Sequence, residues 1–462
     1  MTTFVLLEKL RLLIRESGVF QWFVAVAASP SLSGGSAFFQ EILRRFQALP
    51  LPRWLSSERA ASLSRGLLVA LVFAAVFVPR IFLGDIRLSR LDLRGEDLLL
   101  PFLMITTLAS LARKKSSPEL PAVERAFALF LIAAQFSILG GFFLKTIDKP
   151  LVSFFYLAKW VEYFLIFAMT VRLTRDRETF RFFLQSFFVL GIAVSLYGYG
   201  EHLFPLEKAN YPSYYRLFER FPFYGNANHI GGLLVFWVLF FTGILIHSEK
   251  RSEKLFLFTC LVFVFFPLAW TFSRKSYIAL GGGLGLLFFL RGGRKQTLFL
   301  LCLLAVLALF LPTRILERLT DLRETLTSTD PFHSSWAGNW VMWKEALWNF
   351  RKVFLLGSGL GSRHRLFYES QYVQVIAETG MVGSLAFLYL VITLFRQILA
   401  GFRSSLSRKE RGIMLGWLLG FVGFLIHSLS CVSWTTTKTA IPFWFLSGAV
   451  LTHLSRSESA RP

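Results

Sequence analysis

The stretch Gly357–Gly383 gathers the residues whose types and spacing best suit chemistry in this chain. Alternating glycines open it, and Glu369 stands at the head of a helix-like run. A cationic triplet lies between them: Arg363, His364 and Arg365. A carboxylate or an imidazole can take a proton from a reacting hydroxyl, and guanidinium groups bind phosphates bidentately. We therefore predict a site where an anion and a proton acceptor meet, with Glu369 or His364 as the base.

Two other motifs carry cations that an anionic ligand would explain. Arg220 belongs to the run RFPFYGNANHIGGLL, where the asparagines read as a turn and Asn228 is expected to cap the following helix. Arg274 and Lys275 lie in TFSRKSYIAL, in a short hairpin between two apolar segments. Charges so placed usually snorkel to the membrane interface, which is the simpler reading. Glu378 is a second candidate base, although a helix-end role also accounts for it.

The composition places the chain in the membrane class. Its 462 residues are 54% hydrophobic and include 52 Phe, which is too apolar for a soluble protein. A formal net charge of +22 would suggest nucleic acid in a soluble protein, but cytoplasmic loops of membrane proteins collect Lys and Arg. No cleavable signal peptide is evident in MTTFVLLEKLRLLIRESG. The sequence has no CxxC, HExxH or metal-ligand cluster, so we expect no cofactor and no metal.

Apolar windows recur along the chain and predict an all-α, polytopic membrane protein with about twelve transmembrane helices. Several windows are near the lower limit of roughly 17 residues for crossing the hydrocarbon. The predicted spans are 67–84, 97–112, 126–144, 152–172, 182–199, 229–247, 255–271, 276–291, 297–312, 381–396, 413–430 and 438–454. Lys and Arg cluster in the short loops on one side, which predicts that both termini are cytoplasmic.

This topology divides the chain into three regions. Residues 1–66 mix apolar and basic side chains and are expected to be cytoplasmic or to lie on the membrane surface. Residues 67–454 form the transmembrane domain, and residues 455–462 form a cytoplasmic tail. Two longer loops, 200–228 and 313–380, fall on the extracytoplasmic side, and the second is expected to be helical and to cover the site.

Four motifs follow one another over roughly residues 70–450: RFPFYGNANHIGG, TFSRKSYIAL, WKEALWNF followed by LLGSGLG, and SQYVQVIAETGMVG. In this order and spacing they resemble the O-antigen ligase and O-antigen polymerase family of polytopic membrane glycosyltransferases. The resemblance implies a glycosyltransferase C-like, all-α fold in the bacterial inner membrane. It also implies a role in building cell-envelope polysaccharide such as lipopolysaccharide.

The resemblance further implies a reaction. The family uses an undecaprenyl-diphosphate-linked glycan as donor, and a hydroxyl of lipid A-core or of a growing glycan as acceptor. Transfer inverts the anomeric configuration without metal or nucleotide. By motif, Arg220 and Arg274 would bind the diphosphate, with Arg363 and Arg365 assisting. The position of the family's histidine is Glu369 here, so Glu369 or the nearby His364 would be the catalytic base. A second departure is Gly338–Asn339, where the family often has an arginine.

Three functions remain open at this point. The ligase-like reading has a polymerase of the same family as its first alternative, since both transfer a glycan from the same kind of carrier. A polytopic transporter or lipid-glycan flippase is the second alternative. Transporters place ionisable residues near the bilayer midplane and often show repeats. Here the charges gather at one face, apart from Lys159 and Glu162, which are expected to pair with each other.

Overall fold

The computed structural model of the protein describes residues 57–79, 81–86, 89–112, 121–204, 216–220, 222–223, 226–291, 335–362, 368–404 and 407–459. Within these residues the fold is a helical bundle with one small β-hairpin, which confirms the all-α prediction. The helices are α1 Ser57–Phe77, α2 Gly95–Ala112, α3 Pro121–Phe143, α4 Pro150–Leu173, α5 Arg177–Leu203, α6 Ala227–His247, α7 Arg251–Trp270, α8 Arg274–Arg291, α9 Ser335–Phe350, α10 Gln371–Ser404, α11 Arg408–His427 and α12 Thr437–Ser459.

Eight of the helices in the described residues are long and apolar enough to cross a membrane: α1, α3, α4, α5, α6, α7, α10 and α11. This supports a polytopic membrane protein, while the predicted number of about twelve crossings stays a prediction. Each predicted apolar segment inside the described residues overlaps one of the helices. The segment 297–312 lies outside the described residues, as do residues 1–56 of the N-terminal region.

The first predicted span, 67–84, has the wrong bounds. Helix α1 begins at Ser57 and ends at Phe77, just before Pro79, because proline cannot continue the hydrogen bonding of a helix. The chain then forms an antiparallel hairpin of β1 (Ile81–Ile86) and β2 (Ser89–Leu93), which leads into α2. The sequence does not predict this hairpin, since its apolar first strand looks like a continuation of the helix.

Helix α6 lies at the centre of the bundle and is buried along almost its whole length. It meets α11 at Gly243 and Gly416, where the two backbones touch. A Cβ on Gly243 would lie 2.1 Å from the backbone nitrogen of Gly416. Only glycine lets two helices approach this closely, a common device in membrane bundles. The contact fixes α11 against α6, and with it the loop that leaves the end of α11.

Two ion pairs lie in the interior of the described bundle. Arg172 on α4 binds Glu124 on α3 through two hydrogen bonds of 2.7 and 3.1 Å, and both side chains are almost fully buried. Removing either partner of such a pair would leave an uncompensated charge, which is strongly destabilising. Lys159 and Glu162 form the expected ion pair, with 2.8 Å between Nζ and Oε2. Outward-facing apolar side chains such as Phe136 and Phe143 are exposed, as expected for lipid contact.

Candidate functional site

A cavity of about 440 Å³ opens at one end of the bundle, where α1 ends and where α2, α6, α8, α10 and α12 begin. We call this the distal end. The cavity is lined by Ala75, Val78, Arg94, Glu96, Tyr156, Asn226, Asn228, His229, Lys275, Glu369, Ser430, Cys431, Val432, Thr435, Thr436, Thr437 and Lys438. Most of these side chains are polar, and they include three cations and two carboxylates. Such a lining suits a ligand that is both charged and rich in hydroxyl groups.

Glu369 and Lys275 form an ion pair at the cavity wall. Lys275 lies in the first turn of α8 and Glu369 lies just before α10, so the pair joins segments 94 residues apart. Asn339 on α9 donates a second hydrogen bond of 3.1 Å to the same carboxylate oxygen. Burial alone would raise the pKa of Glu369, but the Lys275 ammonium and the hydrogen bonds from Lys275 and Asn339 outweigh it. They hold the pKa of Glu369 below its ordinary value.

His229, in the first turn of α6, also lines the cavity, and its electrostatic influence reaches the Glu369 carboxylate. Its neighbour Asn228 is not the helix cap that the sequence predicted. Helix α6 begins at Ala227 with Asn226 as its N-cap residue, so Asn228 already lies inside the helix. The Asn228 side chain instead accepts a hydrogen bond of 2.9 Å from Arg216 Nη2.

Arg216 holds the loop that carries Arg220 against the α7–α8 turn. Its Nε donates to the carbonyl of Thr271 at 3.0 Å, and the Leu217 backbone donates to Trp270 O at 3.3 Å. Glu201, at the end of α5, accepts from the Phe218 N–H at 2.7 Å. Phe218 has φ +65°, an unfavourable value for a bulky residue. These contacts therefore fix an otherwise strained loop in one position.

Arg220 and Arg274 both lie at the distal end but are not among the residues that line the cavity. Arg274 is the first residue of α8, directly before Lys275. Arg220 is linked to the cavity through its motif, because Lys438 of the cavity wall donates to the carbonyl of Pro222 at 2.9 Å. The structure thus brings the two sequence motifs together around the Arg216 contacts. Arg363, His364 and Arg365 lie outside the described residues.

The alternating glycines of the GSGLG run form a loop packed on α10. Gly357, Gly359 and Gly361 all have positive φ. Glu378 is buried, and its carboxylate accepts from the Gly361 N–H at 3.1 Å and from Gln374 at 3.2 Å. Glu378 therefore braces this loop and is not among the cavity residues, whereas Glu369 is. Of Glu369 and Glu378, the two candidate bases within the described residues, Glu369 is the one that lines the cavity.

The sequence did not single out three residues that line the cavity, Arg94, His229 and Lys438. It also did not single out Asn339, which lies beside the cavity wall. Asn339 occupies a position that had been noted only as a departure from the family pattern, yet it binds Glu369. Arg94 and Lys438 are single cations at the starts of helices, and nothing in their local sequence separates them from ordinary interfacial charges. His229 lies within the RFPFYGNANHIGG motif, and that position was the one available signal.

A group of carboxylates that could hold a metal ion includes Glu96 of the cavity wall. Oxygens of Glu96, Asp97 and Glu162 lie within 4.8 Å of one another. The ammonium of Lys159 already contacts this group, at 2.5 Å from Asp97 and 2.8 Å from Glu162. A metal ion would have to displace that ammonium, so these residues fit an internal ion-pair network better than a metal centre.

The arrangement can therefore bind an anion and accept a proton side by side. Lys275 and Lys438 offer ammonium groups to the cavity, and Glu369 offers a carboxylate that is ionised at neutral pH. A leaving group that gains negative charge would be stabilised by the cations. A hydroxyl nucleophile placed near Glu369 would lose its proton to the carboxylate.

Comparison with known proteins gives one family. Residues 259–388 match the protein-family model described as O-antigen ligase. The matched segment contains Lys275, Asn339, the glycine loop and Glu369, and so includes both partners of the ion pair. A search of curated proteins finds no match.

Proposed function

Since the match over residues 259–388 supports the O-antigen ligase family and an O-antigen ligase-like function, we propose that the protein is a membrane glycosyltransferase. It moves a glycan from an undecaprenyl-diphosphate carrier to an acceptor hydroxyl, on lipid A-core or a growing glycan, at the outer face of the bacterial inner membrane. The observation that carries this proposal is the Lys275–Glu369 pair in the wall of a polar cavity at one end of a membrane bundle.

In the proposed reaction the donor's diphosphate binds among the cations of the distal end. Lys275 and Lys438 line the cavity directly. Arg220 and Arg274 lie in the two segments joined by Arg216, next to this wall, and take the diphosphate-binding role that the family resemblance implies. Arg363 and Arg365 assist from the same stretch as Glu369. The diphosphate gains charge as its bond to the sugar breaks, and the cations stabilise that charge.

The acceptor hydroxyl attacks the anomeric carbon from the side opposite the diphosphate. Its oxygen forms the new glycosidic bond while the bond from carbon to the diphosphate oxygen breaks, and that electron pair leaves with undecaprenyl diphosphate. The hydroxyl proton passes to the Glu369 carboxylate, with His364 as the second candidate. Because bond making and breaking occur on opposite faces, the configuration inverts. The proton acceptor needs no metal. The carboxylates of Asp97 and Glu162, in the group that could hold a metal ion, already bind the Lys159 ammonium.

Lys275 has two partners in this scheme. In the structure its ammonium is bound to Glu369, which lowers the basicity of the carboxylate. A diphosphate in the cavity competes for the same ammonium, since both ligands are oxyanions. As Lys275 turns toward the diphosphate, the pKa of Glu369 rises and the carboxylate becomes a better base. Donor binding and activation of the base are thereby coupled.

Glycan transfer by the purified protein tests the proposed function. We expect the full-length protein in lipid vesicles to transfer glycan from an undecaprenyl-diphosphate-linked donor to lipid A-core, which gel mobility and mass spectrometry of the product would record. Elongation of the carrier-linked glycan instead would identify a polymerase. Movement of the donor between leaflets without any new glycosidic bond would identify a flippase and overturn the proposal.

Replacing Lys275 by Gln should move the acid limb of the pH–rate profile to higher pH. Glu369 must be ionised to act as a base, so activity is lost as the pH falls through its pKa. Lys275 holds that pKa low. Removing the Lys275 ammonium therefore raises the pKa of Glu369, and burial of the carboxylate acts in the same direction. The measurement is kcat/KM for the donor against pH, because this ratio reports the free enzyme, in which Lys275 is bound to Glu369. Lys275→Arg keeps the charge and serves as the control, and an acid limb unmoved in Lys275→Gln would contradict the coupling.

A further inference from the structure

The start of α2 forms one wall of the cavity. This wall carries a carboxylate that the reaction above does not use. Glu96 lines the cavity and is 1% exposed. Its Oε1 has no hydrogen-bond partner among the described residues. Two cations lie beyond hydrogen-bond distance, Lys159 Nζ at 3.6 Å and Arg94 Nη1 at 3.7 Å. Leaving a buried carboxylate oxygen without a hydrogen-bond donor destabilises the fold. A hydrogen-bond donor on a ligand would therefore be bound favourably by this oxygen.

Among the described residues, Glu96 Oε1 and Glu162 Oε1 both lack a hydrogen-bond partner, but only Glu96 of these two lines the cavity. Asp97 Oδ2 accepts from the Arg94 N–H at 3.0 Å, and Asp97 Oδ1 lies 2.5 Å from Lys159 Nζ. Glu162 binds the same ammonium at 2.8 Å. Arg94 donates to the Thr437 hydroxyl, which lies on the cavity wall. Lys159 and Arg94 both lie near Glu96, while their own hydrogen bonds go to other groups.

The chemistry of this wall favours a neutral donor over a cation. A cation beside Glu96 would lie close to Lys159 and Arg94 and be repelled by both. A diphosphate would meet the Glu96 carboxylate and be repelled by it. A sugar hydroxyl carries no charge, donates to a carboxylate and accepts from a guanidinium or a threonine. Thr435, Thr436 and Thr437 extend the same wall with further groups that bind hydroxyls.

We propose that Glu96, with Arg94 and Thr437, forms a subsite for a hydroxyl-bearing sugar of the acceptor glycan. The proposal rests on the proposed function for the identity of that sugar as the acceptor. The Glu369–Lys275 wall and the Glu96 wall belong to one cavity of about 440 Å³, so a saccharide held by Glu96 presents a neighbouring hydroxyl to the reacting centre. Glu96 positions the acceptor and takes no proton.

Equilibrium binding of a labelled acceptor tests the subsite independently of catalysis. The probe is a fluorescently labelled lipopolysaccharide core oligosaccharide, titrated against the full-length protein in detergent. We expect Glu96→Gln to weaken binding at least about 10-fold, because a hydrogen bond to a charged group is replaced by one to a neutral amide. In steady-state transfer the same variant should raise KM for the acceptor by a similar factor, with kcat and KM for the donor changed less than about 2-fold.

Glu162→Gln is the matched control, because Glu162 shares the Lys159 ion-pair network with Glu96 but does not line the cavity. Acceptor affinity should be unchanged in it, and equal losses in both variants would overturn the proposal in favour of a general charge effect. Thermal unfolding shows whether Glu96→Gln has a folding defect. If it has one, Glu96→Asp is used instead, because aspartate keeps the charge but retracts the carboxylate, and this variant should also bind the acceptor more weakly. A wild-type protein that binds no oligosaccharide refutes the subsite. Binding without transfer refutes the proposed function alone.

Discussion

Glu369→Gln combined with His364→Ala is expected to abolish glycan transfer while leaving the protein in the membrane. Removing a general base typically costs a factor of about 10² to 10⁴ in rate. Glutamine keeps the shape of Glu369 and can still accept a hydrogen bond from Lys275 or Asn339, so the wall of the cavity should persist. The measurement is kcat for transfer by purified variants, together with the amount of folded protein recovered from membranes.

The single variants separate the two candidate bases. Glu369→Gln alone should carry most of the loss, because Glu369 lines the cavity and is paired with Lys275. Glu345→Gln on α9 is a matched control, since Glu345 is exposed and does not line the cavity. Full activity in the double variant would remove both residues from the mechanism. Loss only in His364→Ala would move the proton acceptor to the histidine.

Gly380→Ala is expected to destabilise the protein strongly and to remove activity with it. Gly380 interrupts α10 with φ +67° and ψ −164°, a conformation open essentially only to glycine. A Cβ there would lie 2.4 Å from the Gly357 nitrogen and 2.5 Å from the Leu355 carbonyl oxygen. Strain of this kind costs about 1 to 3 kcal/mol, and the steric clash with backbone atoms adds to it. Thermal unfolding of the purified variant, followed by transfer activity, measures both effects.

Gly285→Ala is the control for that variant. Gly285 lies in helix α8, and a Cβ there meets no atom within 4 Å. Alanine in a helix interior is favoured over glycine by about 1 kcal/mol, so this variant should be at least as stable as the wild type. If Gly380→Ala were equally stable and active, the docking of the glycine loop on α10 would not be needed for the site.

The sequence predicts the helices well because each is a long apolar segment and the polar motifs interrupt them. The family resemblance also predicts Glu369 as a candidate base, and the structure has it in the cavity wall, while its role stays a prediction. The partner of Glu369 could not be predicted in the same way. Lys275 is 94 residues away, and its own motif explains it equally well as an interfacial charge. Pairing of this kind depends on how α8 packs beside α10, which periodicity does not encode.

Other differences have a similar physical origin. Asn228 looks like a helix cap in the sequence, but its side chain accepts a hydrogen bond from Arg216, in a loop 12 residues earlier. The hairpin after α1 looks like more helix, because an apolar strand and an apolar helix have the same composition. Glu96 could be interpreted from sequence only through the helix dipole. Its place in the cavity wall depends on where α2 lies relative to α12.

The cavity draws its walls from both early and late parts of the chain. Arg94 directly precedes α2 and Glu96 lies in its first turn, whereas Thr437 and Lys438 begin α12. During biosynthesis the site therefore stays incomplete until α12 has been inserted beside α4 and α6. A nascent polypeptide halted before that step would hold Lys275 and Glu369 without the wall that opposes them, so unfinished chains are not expected to carry out the proposed transfer.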